Sequence, residues 1–203
     1  MSTSHQQAAL FLSSVDDDWA ELIQTVGQCH LEPNHTQSPF EALIRAVAFQ
    51  QLHAKAGEAI VGRLCALYQT PFPSPKALME TDAEALRACG FSYRKIDTLK
   101  AIAQGALNGV VPSYEDAQKM SDEHLIAQLT PLKGIGRWTV EMLLIFNLGR
   151  ADILPINDFG VVEGYKRLKK LALAPKPKEM AQIGLAWQPY RSVASWYLWR
   201  VPK

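Results

Sequence analysis

An all-α fold is what this sequence predicts, and three observations carry that expectation. Apolar residues recur at intervals of three and four through most of the chain. Ser-Pro and Ser-x-x-Glu signatures of helix N-termini stand in front of several of those runs. No stretch alternates apolar and polar residues for long enough to make a strand. The 203 residues, 48% of them hydrophobic, suffice for a real core in one domain or two small lobes.

Taken in order, the first clear helix is DDDWAELIQTV, which places Trp19, Leu22, Ile23 and Val26 on one stripe behind an acidic N-terminus that suits the helix dipole. In SPFEALIRAVAFQQ, Ser38 is the expected cap, Pro39 the first-turn residue and Glu41 the partner that closes a capping box. Similar starts follow at Ser74-Pro75, from Thr81 to Glu84, at Ser92 and at Ser121, and Gly90, Gly109 and Gly149 stand where helices should end. Two proline-rich stretches, Gln69 to Pro75 and Leu173 to Glu179, read as linkers. The sum is about ten helices on short loops, without internal repeats.

Composition narrows the function classes. No apolar run reaches the roughly 18 residues that span a bilayer, and the first residues lack a secretory signal, so the expected setting is the cytosol, without a membrane partner. Cys29, Cys65 and Cys89 are odd in number and far apart, which argues for free thiols and against disulfides or a metal cluster. Residues 1–130 carry 9 Lys+Arg against 15 Asp+Glu, and residues 131–203 carry 12 against 5, a shift from −6 to +7. A basic C-terminal third suits a polyanion, although scattered solvated lysines give the same count.

The chemistry concentrates in LIAQLTPLKGIGRWTVEMLLIF. A helix ends near Leu129, a short turn comes next, and a second helix starts near Arg137. Glycines at 134 and 136 permit positive φ and close approach, leaving amides at a helix N-terminus for an anion such as a phosphate, with Lys133 and Arg137 alongside. A purely structural turn fits as well. Dinucleotide and Walker loops do not, since a preceding strand, a third glycine and Gly-Lys-Ser/Thr are missing. Asp158, 20 residues after Trp138 in LPINDFGVVEGYKRL, opens another apolar helix. An N-cap is its ordinary reading, and a charged stabiliser or base at a helix N-terminus is compatible with that.

Together, LKGIGRWT with Asp158 beyond it resembles the helix-hairpin-helix superfamily of base-excision DNA glycosylases, in particular the 3-methyladenine DNA glycosylase II family. The likeness extends to IRAVAFQQLHAKAGEAI (44–60), GFSYRKIDTLKAIA (90–103) and PYRSVASWYLWR (189–200). It implies a compact all-α, two-lobed fold with the active site in the cleft between lobes: residues 36–150 form a central lobe with the hairpin, and residues 1–35 and 151–203 form the second. It also implies a monofunctional enzyme, because Trp138 stands where members that cleave the DNA backbone have a Schiff-base lysine.

By the same resemblance Asp158 is catalytic, stabilising the oxocarbenium-like sugar or acting on the water. Trp138, Trp199 and Met142 line the base pocket, Met142 replacing a family aromatic. A loop on Gln51, Leu52 and His53 fills the gap left by an extruded base, although Leu52 could be core and His53 a surface or capping residue. Lys133, Gly134, Gly136, Arg137 and Thr139 contact the DNA backbone. Carbonyls of Thr130, Leu132 and Ile135 hold a structural Na+ or K+, with no cofactor required for catalysis. The expected partner is double-stranded DNA containing alkylated bases, bound by a monomer in the cytoplasm, or the nucleus of a eukaryote. Rival readings are a glycosylase for deaminated or other damaged purines, a non-enzymatic hairpin module, and a helical protein-interaction domain. Only the enzymes need a carboxylate at Asp158.

Overall fold

Side-chain caps mark where most helices begin, and they set the order of elements. The computed structural model describes residues 3–202. α1 (Thr3–Ser13) and α2 (Asp17–Val26) open the chain; α3 (Pro39–Phe49), α4 (Ala54–Ala66), α5 (Pro75–Glu80), α6 (Ala83–Ala88), α7 (Tyr93–Leu107), α8 (Tyr114–Lys119), α9 (Asp122–Leu129) and α10 (Arg137–Phe146) follow. α11 (Phe159–Leu168), α12 (Pro177–Ile183), a 3-10 turn (Gly184–Trp187) and α13 (Arg191–Leu198) close it. There is no strand among the described residues. Thirteen α-helices stand among them where the sequence predicts about ten: α8 has six residues, too few for an apolar stripe to declare itself, and α12 begins inside the stretch expected to be a linker.

Asp16, Ser38, Ser74, Asp82, Ser92, Ser113, Ser121 and Asp158 each accept a first-turn amide. Three local expectations are corrected. Glu41 does not close a capping box; its carboxylate turns to Arg45 at 2.8 Å. α6 is capped by Asp82, because the Thr81 hydroxyl is spent on the Ala77 carbonyl at the end of α5. The second linker stops at Lys176, since Pro177 suits a helix's first turn. Gly90, Gly109 and Gly149 all have positive φ after a helix end, as expected.

The chain divides into two units, Met1–Pro33 with Gly149–Lys203, and Asn34–Leu148. In the second, α7 is central: it packs on α3, α5 and α6 through Ile96, Leu99, Ile102 and Ala103, all buried. Two lysines of α7 cap neighbouring helices at their C-terminal ends. Lys100 donates to the carbonyls of Leu78, Met79 and Thr81 at 2.6–2.8 Å, closing α5. Lys95 donates to those of Ala48 and Gln50, closing α3. Burial holds both ammonium groups below the ordinary lysine range.

In the first unit, α1, α2, α11 and α13 surround an edge-to-face pair of Trp19 and Trp187, 5.2 Å apart. Lys169 on the residue after α11 reaches Asp16 and Asp18 at 2.7 Å each, fastening the α2 N-terminus. Arg191 grips Asp152 with two nitrogens. Gly164 brings the backbones of α11 and α13 together, because a Cβ there would meet the Leu198 carbonyl. The three cysteines are free, and burial pushes the Cys29 and Cys89 thiols up. No helix among the described residues is long and apolar enough to cross a membrane.

Candidate active site and DNA-binding surface

A cavity of about 420 Å³ opens in the Asn34–Leu148 unit between α3 and α10. Trp138, Met142 and Phe146 recur every fourth residue on one face of α10 and line it, opposite Phe49 and Arg45 of α3. Trp138 is 37% exposed, an uncommon state for a tryptophan in a helix with so apolar a sequence. Phe49 fits because Gly57 of α4 has no side chain where the ring lies. The Arg45 guanidinium is held 2.8 Å from Glu41 and lies over the Phe72 ring, so its charge is balanced beside the pocket. Sequence reasoning finds Trp138 and Met142 and misses Phe146 and Phe49. The four-residue spacing 138, 142, 146 is the signal that would have found the first.

Asp158 caps α11: its Oδ1 accepts the Val161 amide at 2.8 Å. The same oxygen accepts the indole N–H of Trp199 at 2.7 Å. Gly160 makes that second bond sterically feasible, since a Cβ there would stand 2.6 Å from Trp199 Cδ1. Gly160 and Gly164, one turn apart on α11, thus let the end of α13 and its following tryptophan lie close to the carboxylate. The sequence reading assigns Trp199 to the base pocket; the structure gives its indole a polar contact with Asp158 that the reading does not contain. Two donors on one oxygen fix the direction of the carboxylate. Phe159, 80% exposed, presents a ring to solvent beside it.

The hairpin lies between α9 and α10. Gly134 has φ +82 and sits against Thr98 of α7, whose hydroxyl and methyl leave no room for a Cβ. Gly136 differs from the expectation: its φ is −94, and a Cβ there would meet nothing within 4 Å. What glycine supplies at 136 is openness, at a helix start that no side chain caps. Lys133 and Arg137 are exposed but engaged, Lys133 with Asp97 at 2.7 Å, Arg137 with Glu123 at 2.8 Å and Glu141 at 3.0 Å. The Arg137 guanidinium holds Glu123 below the usual carboxylate range. Thr139 is corrected as a surface contact: it is 2% exposed, and its hydroxyl receives the Gln50 side-chain amide at 3.4 Å. Third in α10, it faces inward, where the helix meets α3.

Gln51, Leu52 and His53 form the loop between α3 and α4 and are all exposed, Leu52 by 43%. Gln51 takes a left-handed φ of +58. The reading of Leu52 as core is excluded, whereas His53 is exposed and stands at the N-cap position of α4, without a side-chain hydrogen bond to the helix. Around the hairpin, the Leu132 carbonyl accepts the Ile135 amide at 3.0 Å.

Residues 44–189 match the HhH-GPD superfamily of base excision DNA repair proteins. The chain is 44% identical to DNA-3-methyladenine glycosylase 1 of Schizosaccharomyces pombe over 99% of its length and 89% of that protein's. Against the alkylbase DNA glycosidase-like protein mag2 of the same yeast it is 39% identical, covering 99% of this chain and 95% of the other. The S. pombe 3-methyladenine DNA glycosylase Mag1, solved in complex with abasic DNA, superposes with a TM-score of 0.88 over 96% of this chain and 95% of that one, at 44% identity. A DNA-3-methyladenine glycosidase of Bacillus halodurans superposes with 0.82 over 95% and 88%, at 32% identity.

Proposed function

The chain belongs to the HhH-GPD superfamily of base excision DNA repair proteins, and on that premise we infer that it is a monofunctional DNA-3-methyladenine-type glycosylase. It extrudes alkylated purines such as 3-methyladenine and 7-methylguanine and hydrolyses their N-glycosidic bond. The observation that carries the reading is Trp138 in an aromatic pocket of about 420 Å³, at the position where backbone-cleaving relatives of the superfamily need a lysine.

Alkylation at N3 or N7 puts positive charge on the purine and makes it a good leaving group, so no strong general acid is needed. Trp138, Phe49 and Phe146 offer π faces to an electron-poor cationic ring, and Met142 an adaptable thioether. The Glu41–Arg45 pair keeps a bare positive charge from the pocket edge, where it would repel such a base. Asp158 stabilises the developing oxocarbenium and directs the attacking water. Trp199 holds the carboxylate in place for that work. Leu52, flanked by Gln51 and His53, fills the space the base leaves in the duplex.

The open start of α10 at Gly136 receives a backbone phosphate, with Lys133 and Arg137 supplying charge once they exchange their carboxylate partners for DNA. A Na+ or K+ on the carbonyls of Thr130, Leu132 and Ile135 would neutralise a phosphate at the same place. The enzyme acts as a monomer on double-stranded DNA, in the cytoplasm or a eukaryotic nucleus.

Chromatography of bases released from methylated DNA tests the reading. Release of 3-methyladenine and 7-methylguanine is expected, with no covalent adduct when an abasic duplex is trapped by borohydride. Absence of release, or a strong trapped band, would overturn it.

A further inference from the structure

The C-terminus of α3 leaves its last carbonyls to be satisfied by something other than the helix, and they can be accounted for one by one. Those of Ala46 and Val47 receive the Gln50 amide, and that of Phe49 receives the Leu52 amide at 3.1 Å. The Ala48 and Gln50 carbonyls receive one donor among the described residues, the Lys95 ammonium, at 3.1 and 2.9 Å. Lys95 comes from α7, 45 residues on from Gln50. It is half-buried, and its positive charge sits at the negative end of the α3 dipole.

The Gln51–His53 loop leaves directly from that helix end. Gln51 holds a left-handed φ of +58 without being glycine, a conformation that persists only when its neighbours impose it. The carbonyl before it is the one Lys95 holds. The Gln50 side chain reaches Thr139 of α10 at 3.4 Å, so the residue that enters the loop is tied to α7 by its carbonyl and to the hairpin helix by its amide. Leu52, two residues after Gln50, stands exposed.

We propose that Lys95 is the positioning residue of the Gln51–His53 loop: by closing the C-terminus of α3 it holds the loop in its projecting shape before DNA arrives, and so governs base extrusion while leaving bond cleavage alone. A preformed loop loses little conformational freedom on entering the duplex, whereas a slack one loses more and inserts less often. The proposal rests on the loop's role as the element that enters DNA.

Lys100, on the same helix, supplies the matched control, because it caps α5 by the same chemistry and touches no part of the loop. Lys95→Met, Lys95→Arg and Lys100→Met are compared with the unaltered protein by thermal midpoint, by single-turnover excision of 7-methylguanine, and by the fluorescence rise of a 2-aminopurine placed beside an abasic analogue. Both methionine variants should lose thermal stability. Lys95→Met alone should slow the fluorescence rise and excision tenfold or more, and Lys95→Arg, which keeps charge and donors, should recover most of both. Equal behaviour of Lys95→Met and Lys100→Met in fluorescence and excision would overturn the proposal.

Hydrogen exchange in the unaltered protein decides the matter even if Lys95→Met fails to fold. The Leu52 amide should be protected to the same degree as those at the end of α3, and exchange at an unstructured rate would refute the anchor. No fluorescence rise with the unaltered protein would refute the loop's role in DNA, a failure distinct from that of Lys95.

Discussion

Removing the charge of Asp158 while keeping its shape separates catalysis from capping. Asp158→Asn retains an oxygen for the Val161 amide and the Trp199 indole, so the thermal midpoint should barely move. Electrostatic stabilisation of the sugar should be lost, at about 3–4 kcal/mol or roughly 10²–10³ in the single-turnover rate of 7-methylguanine excision. An unchanged rate would refute the catalytic assignment. Trp199→Phe asks a narrower question, since it keeps most of the ring and deletes the N–H that meets Oδ1 at 2.7 Å. A hydrogen bond to a charged group is worth about 1.5–3 kcal/mol, so excision should fall roughly ten- to a hundredfold while affinity for abasic DNA stays nearly the same. If affinity drops and the rate does not, Trp199 serves as a wall for the base and has no part in holding the carboxylate.

The helices meet at positions where a side chain is forbidden, and this makes glycines the informative substitutions at the scale of elements. Gly164→Ala places a methyl against the Leu198 carbonyl and must push α13 off α11, carrying Trp199 away from Asp158. Stability and excision should therefore fall together, in a thermal melt and a single-turnover assay of the same preparation. The two hairpin glycines should part company. Gly134→Ala combines a φ of +82 with collision on Thr98 and should destabilise the fold by about 1 kcal/mol or more, on the order of the cost of left-handed backbone for an alanine. Gly136→Ala has space and an ordinary φ, so the fold should tolerate it, and any loss should appear in DNA affinity through crowding of the α10 N-terminus. Normal DNA binding by Gly136→Ala and Gly136→Leu would sink the phosphate site.

Over the whole molecule, the charge asymmetry along the chain largely cancels when the ends fold together. The Met1–Pro33 and Gly149–Lys203 unit holds 10 Lys+Arg and 9 Asp+Glu, and Asn34–Leu148 holds 11 of each. Asp16 and Asp18 on Lys169 show the cancellation at contact distance. DNA binding should therefore depend on few cations and show a shallow salt slope, to which each neutralised phosphate contributes about −0.9. Lys133→Ala and Arg137→Ala should each lower the slope by roughly one, whatever the DNA sequence. Glu123→Gln should tighten binding, because it releases Arg137 from its exposed partner. Slopes unchanged in both cationic variants would move the phosphate contacts elsewhere.

What the sequence by itself determined is local: most helix boundaries and the short contiguous motifs. Helix starts follow from Ser and Asp caps, helix ends from positive-φ glycines, and the hairpin, Trp138 and Asp158 are legible because each belongs to a short contiguous motif. Only the tertiary structure decided that Thr139 faces inward, that Trp199 bonds Asp158 across 41 residues where Gly160 leaves space, and that the basic C-terminal third is offset by acidic residues from the other end of the chain. The Lys95 and Lys100 anchors were the least legible of all. Their acceptors are backbone carbonyls, which every residue carries, so no pattern of side chains announces the partner; packing of α7 against α3 and α5 chooses it.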